Sequence, residues 1–128
     1  MKIEHIALNV SKPKEISNWY AETLSMRISR SSEKAPYGHF IADSKGQTIL
    51  EFYCNPLAPV PEYQSLHPLV FHIAFATDNI EATKKKLISA GATLVTDTVK
   101  SENGDILVML RDPWGLALQL VKRHSPLI

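Results

Sequence analysis

The sequence predicts an α+β protein made of two tandem copies of one strand–helix–strand–strand–strand module. Three internal matches carry that expectation. Glu4-His5-Ile6-Ala7 returns as Phe71-His72-Ile73-Ala74, Ile49-Leu50-Glu51-Phe52 returns as Ala117-Leu118-Gln119-Leu120, and Asp43…Gly46 returns as Asp112…Gly115. His5 and Glu51 lie 46 positions apart, His72 and Gln119 47, so one residue slipped in a turn aligns the copies.

The elements follow in chain order. Over Ile3–Val10, Ile6, Leu8 and Val10 alternate with His5, Ala7 and Asn9, which is the period of a strand. Ser11 is placed to cap a helix and Pro13 to start it. Ile16, Trp19, Tyr20, Thr23 and Leu24 then recur at helical spacing. Strands are expected at Met26–Ser32, at Tyr37–Asp43 and, past the Ser44-Lys45-Gly46-Gln47 turn, at Thr48–Tyr53. Residues 54–68 contain Pro56, Pro59, Pro61 and Pro68, too dense for regular structure, and predict an extended connector.

The plan then restarts with a strand at Leu69–Thr77 and a capping box at Asp78-Asn79-Ile80-Glu81. A helical stripe of Ile80, Thr83, Leu87 and Ala90 stops at Gly91. Strands at Thr93–Thr98 and Asp105–Arg111 follow, and the Asp112-Pro113-Trp114-Gly115 turn leads into Leu116–Lys122. The organisation is one domain over 1–128: module 1 at 1–53, connector at 54–68, module 2 at 69–122 and a tail at 123–128.

Composition narrows the function classes. At 128 residues the chain can bury a real core. Fourteen basic and thirteen acidic residues nearly cancel, and Lys84-Lys85-Lys86 fits a solvated helix face. With no basic stripe, no nucleic-acid or anionic-membrane partner is expected. Cys54 is alone and cannot close an intrachain disulfide. No apolar run nears the roughly 20 residues that span a bilayer, and charges interrupt Met-Lys-Ile-Glu-His-Ile where a signal peptide needs apolar residues. A cytoplasmic location is the expectation. No Gly-rich phosphate loop or nucleotide motif occurs.

Strand parity sorts the chemistry. Leu50 and Phe52 alternate with Glu51, and Leu118 and Leu120 with Gln119, as Ile6 and Ile73 do with His5 and His72. The apolar sets belong under the helices, so His5, Glu51, His72 and Gln119 all fall on the opposite face. Ala7, Ala74 and Ala117 are their neighbours there and leave a hollow instead of a filled core. A lone His or Glu on a strand's second face is usually only solvated. Four polar residues at equivalent places of a repeat point to one divalent metal, with zinc, nickel, cobalt, manganese or iron all compatible with the donors. Gln119 is the poorest donor and could instead hydrogen-bond a water.

These features resemble the vicinal oxygen chelate superfamily, which includes glyoxalase I, methylmalonyl-CoA epimerase, extradiol dioxygenases and bleomycin-resistance proteins. The carriers are Ile3-Glu4-His5-Ile6-Ala7, Trp19-Tyr20…Leu24-Ser25-Met26 (where the family commonly has Phe-Tyr…Leu-Gly-Met), Leu87…Ala90-Gly91-Ala92, and Asp112-Pro113-Trp114-Gly115…Gln119-Leu120. The resemblance implies two βαβββ modules forming a cupped mixed sheet with helices outside, and a cleft with one metal ligand from each of four strands. Those positions are His5, Glu51, His72 and Gln119. It also implies a small-molecule substrate and a homodimer.

The leading functional expectation is a glyoxalase-like, metal-dependent lyase or isomerase acting on a substrate with vicinal oxygens through a stabilised enediolate, with Glu51 as catalytic base. Glu51 would take the proton-moving place that a carboxylate at position 119 often fills in glyoxalase I-like enzymes. The alternatives are a bleomycin-resistance-like binding protein without chemistry and, against the amide at Gln119, an extradiol-type dioxygenase. Around the site, Asn9, Tyr53, Arg111 and Trp114 are candidate substrate-binding residues, and Val121 shares the cleft-facing parity. His39 and Cys54 read as structural.

Overall fold

Each copy folds as a four-stranded sheet backed by one helix; the computed structural model describes residues 1–47 and 49–128. Thr48, expected to open a strand, lies outside the described residues. The chain divides into two compact units, Met1–Pro61 and Glu62–Ile128, with the proline connector shared out between them.

In the first unit β1 (Ile6–Asn9) leads into α1 (Pro13–Leu24), followed by β2 (Arg27–Ser31), β3 (His39–Ala42) and β4 (Ile49–Tyr53). The sheet order is β1-β4-β3-β2, with β1 and β4 parallel and the remaining pairs antiparallel. A parallel pair cannot be closed by a hairpin, so the helix and two strands supply the crossover. The second unit repeats this with β5 (Ile73–Ala76), α2 (Ile80–Ser89), β6 (Thr93–Lys100), β7 (Ile106–Arg111) and β8 (Ala117–Lys122), in the order β5-β8-β7-β6. The registers coincide: Ala7 faces Glu51 in one parallel ladder and Ala74 faces Gln119 in the other.

The core faces follow the apolar parity. Ile16, Tyr20, Ile41, Leu50 and Phe52 are buried in the first unit, where the Tyr20 ring meets Phe52 edge-on at 5.1 Å. Leu87, Leu110, Leu116, Leu118 and Leu120 are buried in the second. Each such side chain contributes about 1.5–3 kcal/mol. Ile6 departs from the pattern at 43% exposed, since it stands at the first rung of an edge strand.

The duplication reaches individual hydrogen bonds. Asp43 Oδ1 accepts the backbone N–H groups of Lys45 and Gln47, and Asp112 Oδ1 accepts those of Trp114 and Leu116. In both turns the glycine N–H donates to the aspartate carbonyl, and Gly46 and Gly115 adopt positive φ of 70° and 93°. An aspartate that ties down its own turn explains why Asp and Gly recur three residues apart.

Several boundaries differ from expectation for local reasons. Ser11 does not cap α1: Lys12 occupies the cap position, no side chain bonds there, and Pro13 needs no donor satisfied. In α2 the cap is Asn79, whose side chain accepts the Ala82 N–H at 3.0 Å. The expected box is therefore absent, and Glu81 pairs with Lys84 and Thr98. Strand β5 is shorter than Leu69–Thr77 because the Val70 N–H turns back to the His67 carbonyl. The connector holds one 3-10 turn, Tyr63–Ser65, despite its prolines.

Helix α1 ends at Ser25 in the left-handed region, with φ 56° and ψ 32°. Outside glycine that conformation costs about 1–2 kcal/mol, whereas a glycine frees the unfolded chain by about 0.4–1 kcal/mol. Ser25→Gly is accordingly expected to stabilise the protein by about 0.5–1 kcal/mol, a rise of a few degrees in thermal midpoint. A lower midpoint would mean that the serine side chain has a role at this helix end.

Asp105, at the start of β7, is buried and anchors the C-terminal segment. It accepts the His124 N–H at 2.8 Å and the Arg123 guanidinium at 2.6 Å. Those bonds, the His124 amide foremost, hold its carboxyl below the ordinary aspartate value of 3.8. A carboxylate depressed on folding stabilises fully above its unfolded pKa, and the contribution disappears as pH falls through the folded one. Asp105→Asn is expected to lower the melting temperature at pH 7, with the gap to the parent closing below pH 3.8. A gap that stayed constant with pH would remove the charge from the explanation.

Candidate metal centre

Both histidines stand one residue before their strand, His5 before β1 and His72 before β5. In each unit the ladder begins one residue later, at Ile6 and at Ile73. The rings are nevertheless held. His5 Nδ1 is hydrogen-bonded to the Glu4 carboxylate, and its ring meets Phe40 edge-on at 5.6 Å. His72 Nδ1 donates to the Pro68 carbonyl at 2.8 Å. In a neutral ring, a proton engaged at Nδ1 leaves the lone pair on Nε2. Holding a histidine by its other nitrogen is the usual way that proteins present a ligating imidazole.

His5 Nε2 lies 3.4 Å from Glu51 Oε2, with the His5 side chain 35% and the Glu51 side chain 20% exposed. Zinc-type donors sit about 2.0–2.2 Å from their ion, so two of them at ordinary coordination angles stand about 3–3.5 Å apart. The His5–Glu51 separation fits that spacing. Without an ion a proton can fill the gap: the Glu4 hydrogen bond raises the His5 pKa, opposed by partial burial, with the charges of Glu4 and Glu51 adding to the rise. Metal and proton compete for the same nitrogen.

Glu51 owes its position to a residue that sequence reasoning passed over. A Cβ on Gly38 would come within 3.2 Å of Glu51 Oε1, so the glycine leaves the carboxylate room. Its signal was a glycine inside the strand expected at Tyr37–Asp43, where a close approach is a common reason. Phe40, directly opposite Glu51 in the antiparallel register, was missed for a different reason, since an apolar strand residue looks like core.

The second unit carries His72 and Gln119 at the equivalent positions. Gln119 is half-buried on β8, facing Ala74 on one side and Met109 on the other. Each unit thus places one imidazole and one oxygen-bearing side chain at equivalent positions, and among the described residues no three His, Cys, Asp or Glu side chains gather within metal-binding reach. An imidazole beside a carboxylate, as His5 and Glu51 stand, suits a divalent ion of intermediate softness.

Two expected substrate contacts have other work. Asn9 is buried under its own unit's connector segment; its amide donates toward the carbonyls of Asn55, Ala58 and Pro59 and accepts the Asn55 N–H. The Arg111 guanidinium is spent on the carbonyls of Tyr63, Leu66 and Gly115 at 2.7–2.8 Å. These side chains fasten the proline-rich segments, which lack a ladder to satisfy their own backbone. Val121 is also buried, at 3% exposed. Tyr53 and Trp114 are half-buried. His39 lies opposite Phe52 on the packed face and bonds the Tyr37 carbonyl, a structural role as expected.

Residues 2–120 match the sequence pattern of the Glyoxalase/Bleomycin resistance protein/Dioxygenase superfamily. The chain belongs to this superfamily. The lactoylglutathione lyase of Haemophilus influenzae is 25% identical over 130 residues, covering 98% of this chain and 95% of that protein. Among solved structures, a glyoxalase family protein from Bacillus cereus aligns at a TM-score of 0.82 with 14% identity, over 98% of this chain and 95% of its own. An antibiotic binding protein from Streptomyces sp. CB03234 aligns at 0.68 with 20% identity, over 96% and 98%. The structural likenesses establish the two-module superfamily fold. No helix among the described residues is long and apolar enough to cross a membrane.

Proposed function

We propose that this superfamily member is a metal-dependent lyase or isomerase acting on a small substrate with two adjacent oxygens, with His5, Glu51, His72 and Gln119 as the metal-binding set. The observation that carries the reading is the His5–Glu51 pair: an imidazole held at Nδ1 with its Nε2 3.4 Å from a carboxylate oxygen. The likeness to a lactoylglutathione lyase supports the reaction class. When bound, a divalent ion supplies charge stabilisation to the substrate oxygens as a neighbouring carbon-bound proton leaves.

The remaining work falls to the chain. Glu51 Oε2 takes up the proton and returns it to the adjacent carbon, and Gly38 gives the carboxylate room to move. Phe40 and Glu4 hold the His5 ring while the carboxylate shifts. Gln119 cannot serve as a base, so proton transfer belongs to the first unit. A homodimer with a cytoplasmic location is part of the same proposal.

The test is metal analysis of protein purified without chelator, followed by a hemithioacetal isomerisation assay on the metal-replete form. Stoichiometric metal with turnover supports the proposal. Protein that neither retains nor takes up metal would favour the second reading, a small-molecule binding protein without chemistry, for which the fold of the Streptomyces antibiotic binding protein is a precedent.

A further inference from the structure

The second unit carries a cavity of about 290 Å³ on the sheet face that presents Gln119. Leu107 and Met109 on β7 form its floor beside Gln119, and Met109 is directly opposite Gln119 in the ladder. Val95 and Val99 on the edge strand β6 line one side. Register shifts between Leu94 and Thr96 and between Thr96 and Val99 interrupt strict alternation there, and bulges of this kind re-aim side chains. At the connector's end His67 lines the pocket, with its Nδ1 accepting the Leu69 N–H at 3.2 Å, so the neutral ring carries its proton on Nε2.

Among the described residues no Asp, Glu, Lys or Arg lines this cavity. A substrate carboxylate or ammonium would lose its hydration there and gain no counter-charge. An uncharged apolar group would be favoured, and the size is informative: an apolar cavity of about 150 Å³ holds benzene. Val95 and Val99 are 39% and 56% exposed, so the apolar surface is open to a ligand.

We infer that the substrate carries an uncharged aromatic or branched aliphatic substituent that seats between Val99 and Met109, with its oxygen-bearing end at Gln119 and the His67 N–H as the polar contact. This rests on the proposal that Gln119 belongs to the metal-binding set. It separates the chain's preference from that of a substrate whose bulk is a charged peptide-like group.

Metal-free protein carrying 13C-methyl methionine should be titrated with 2-naphthol. The Met109 methyl is expected to show a saturable ring-current shift while the core residue Met26 does not. Val99→Asp, on an exposed edge position, should weaken the titration about tenfold, and Ile88→Asp on α2 should not. Absence of a Met109 shift, or equal weakening by both variants, overturns the inference. Metal-loaded protein should then bind 2-naphthohydroxamate at least about tenfold more tightly than acetohydroxamate. Equal affinities would overturn the inference. A naphthol titration that succeeds with neither hydroxamate binding would sink the metal proposal and leave the apolar pocket standing.

Discussion

Glu51→Gln is expected to lower turnover of the metal-replete protein by about 10²–10⁴-fold, the usual contribution of a positioned general base. The amide keeps the shape and an oxygen donor toward the ion, but it accepts no proton. It also gives the first unit the side chain that the second already carries at Gln119, erasing the main chemical difference between the two equivalent positions. Metal content and melting temperature should stay close to the parent, which separates a lost base from a lost site. Turnover that survives the substitution would move the base elsewhere. The reciprocal Gln119→Glu adds a carboxylate without removing Glu51, and so should not reproduce the loss.

Gly115→Ala is expected to destabilise the fold by about 3 kcal/mol, combining left-handed strain with a backbone clash. The added Cβ would meet Gln64 N and Cα at 2.8 and 2.9 Å, and a backbone cannot swing aside as a side chain can. Displacing Gln64 also disturbs the neighbouring carbonyls of Tyr63 and Leu66, which the Arg111 guanidinium holds. Gly46→Ala is the internal control. Its turn has the same hydrogen bonds and a positive φ of 70°, yet among the described residues a Cβ there would meet only the Arg27 guanidinium at 3.5 Å. Urea unfolding of both variants should give a loss of about 1–2 kcal/mol for Gly46→Ala, from strain alone. Similar midpoints for the two would show that the connector yields freely at Gln64.

The aspartate turns show how local chemistry makes a repeat legible. Asp43 and Asp112 each bond amides two and four residues ahead, so a constraint contained within five residues leaves the same signature twice. The helix starts were less legible. Ser11 and Asp78 are both good cap types, but the observed starts are set one residue later, where the chain leaves its strand. Ser25 stands where the resembling family has glycine, and only its φ reveals that the left-handed bend is kept at a cost.

Within the candidate site the divide falls between residue type and geometry. Periodicity of two and of 3.6 is a property of the chain itself, so strand parity alone put Glu51 and Gln119 opposite the leucine and phenylalanine faces that the structure buries. The two-module fold followed from the same local rules. Asn9 and Arg111 have the residue types of substrate contacts, yet apart from Gly115, close to Arg111 in the chain, their carbonyl partners lie 45 to 50 residues away in segments with no period to read. The space beside Glu51 left by Gly38 and the apolar pocket beside Gln119 were likewise decided only by tertiary structure. Each depends on where distant backbone comes to rest, and close packing determines that for the whole unit at once.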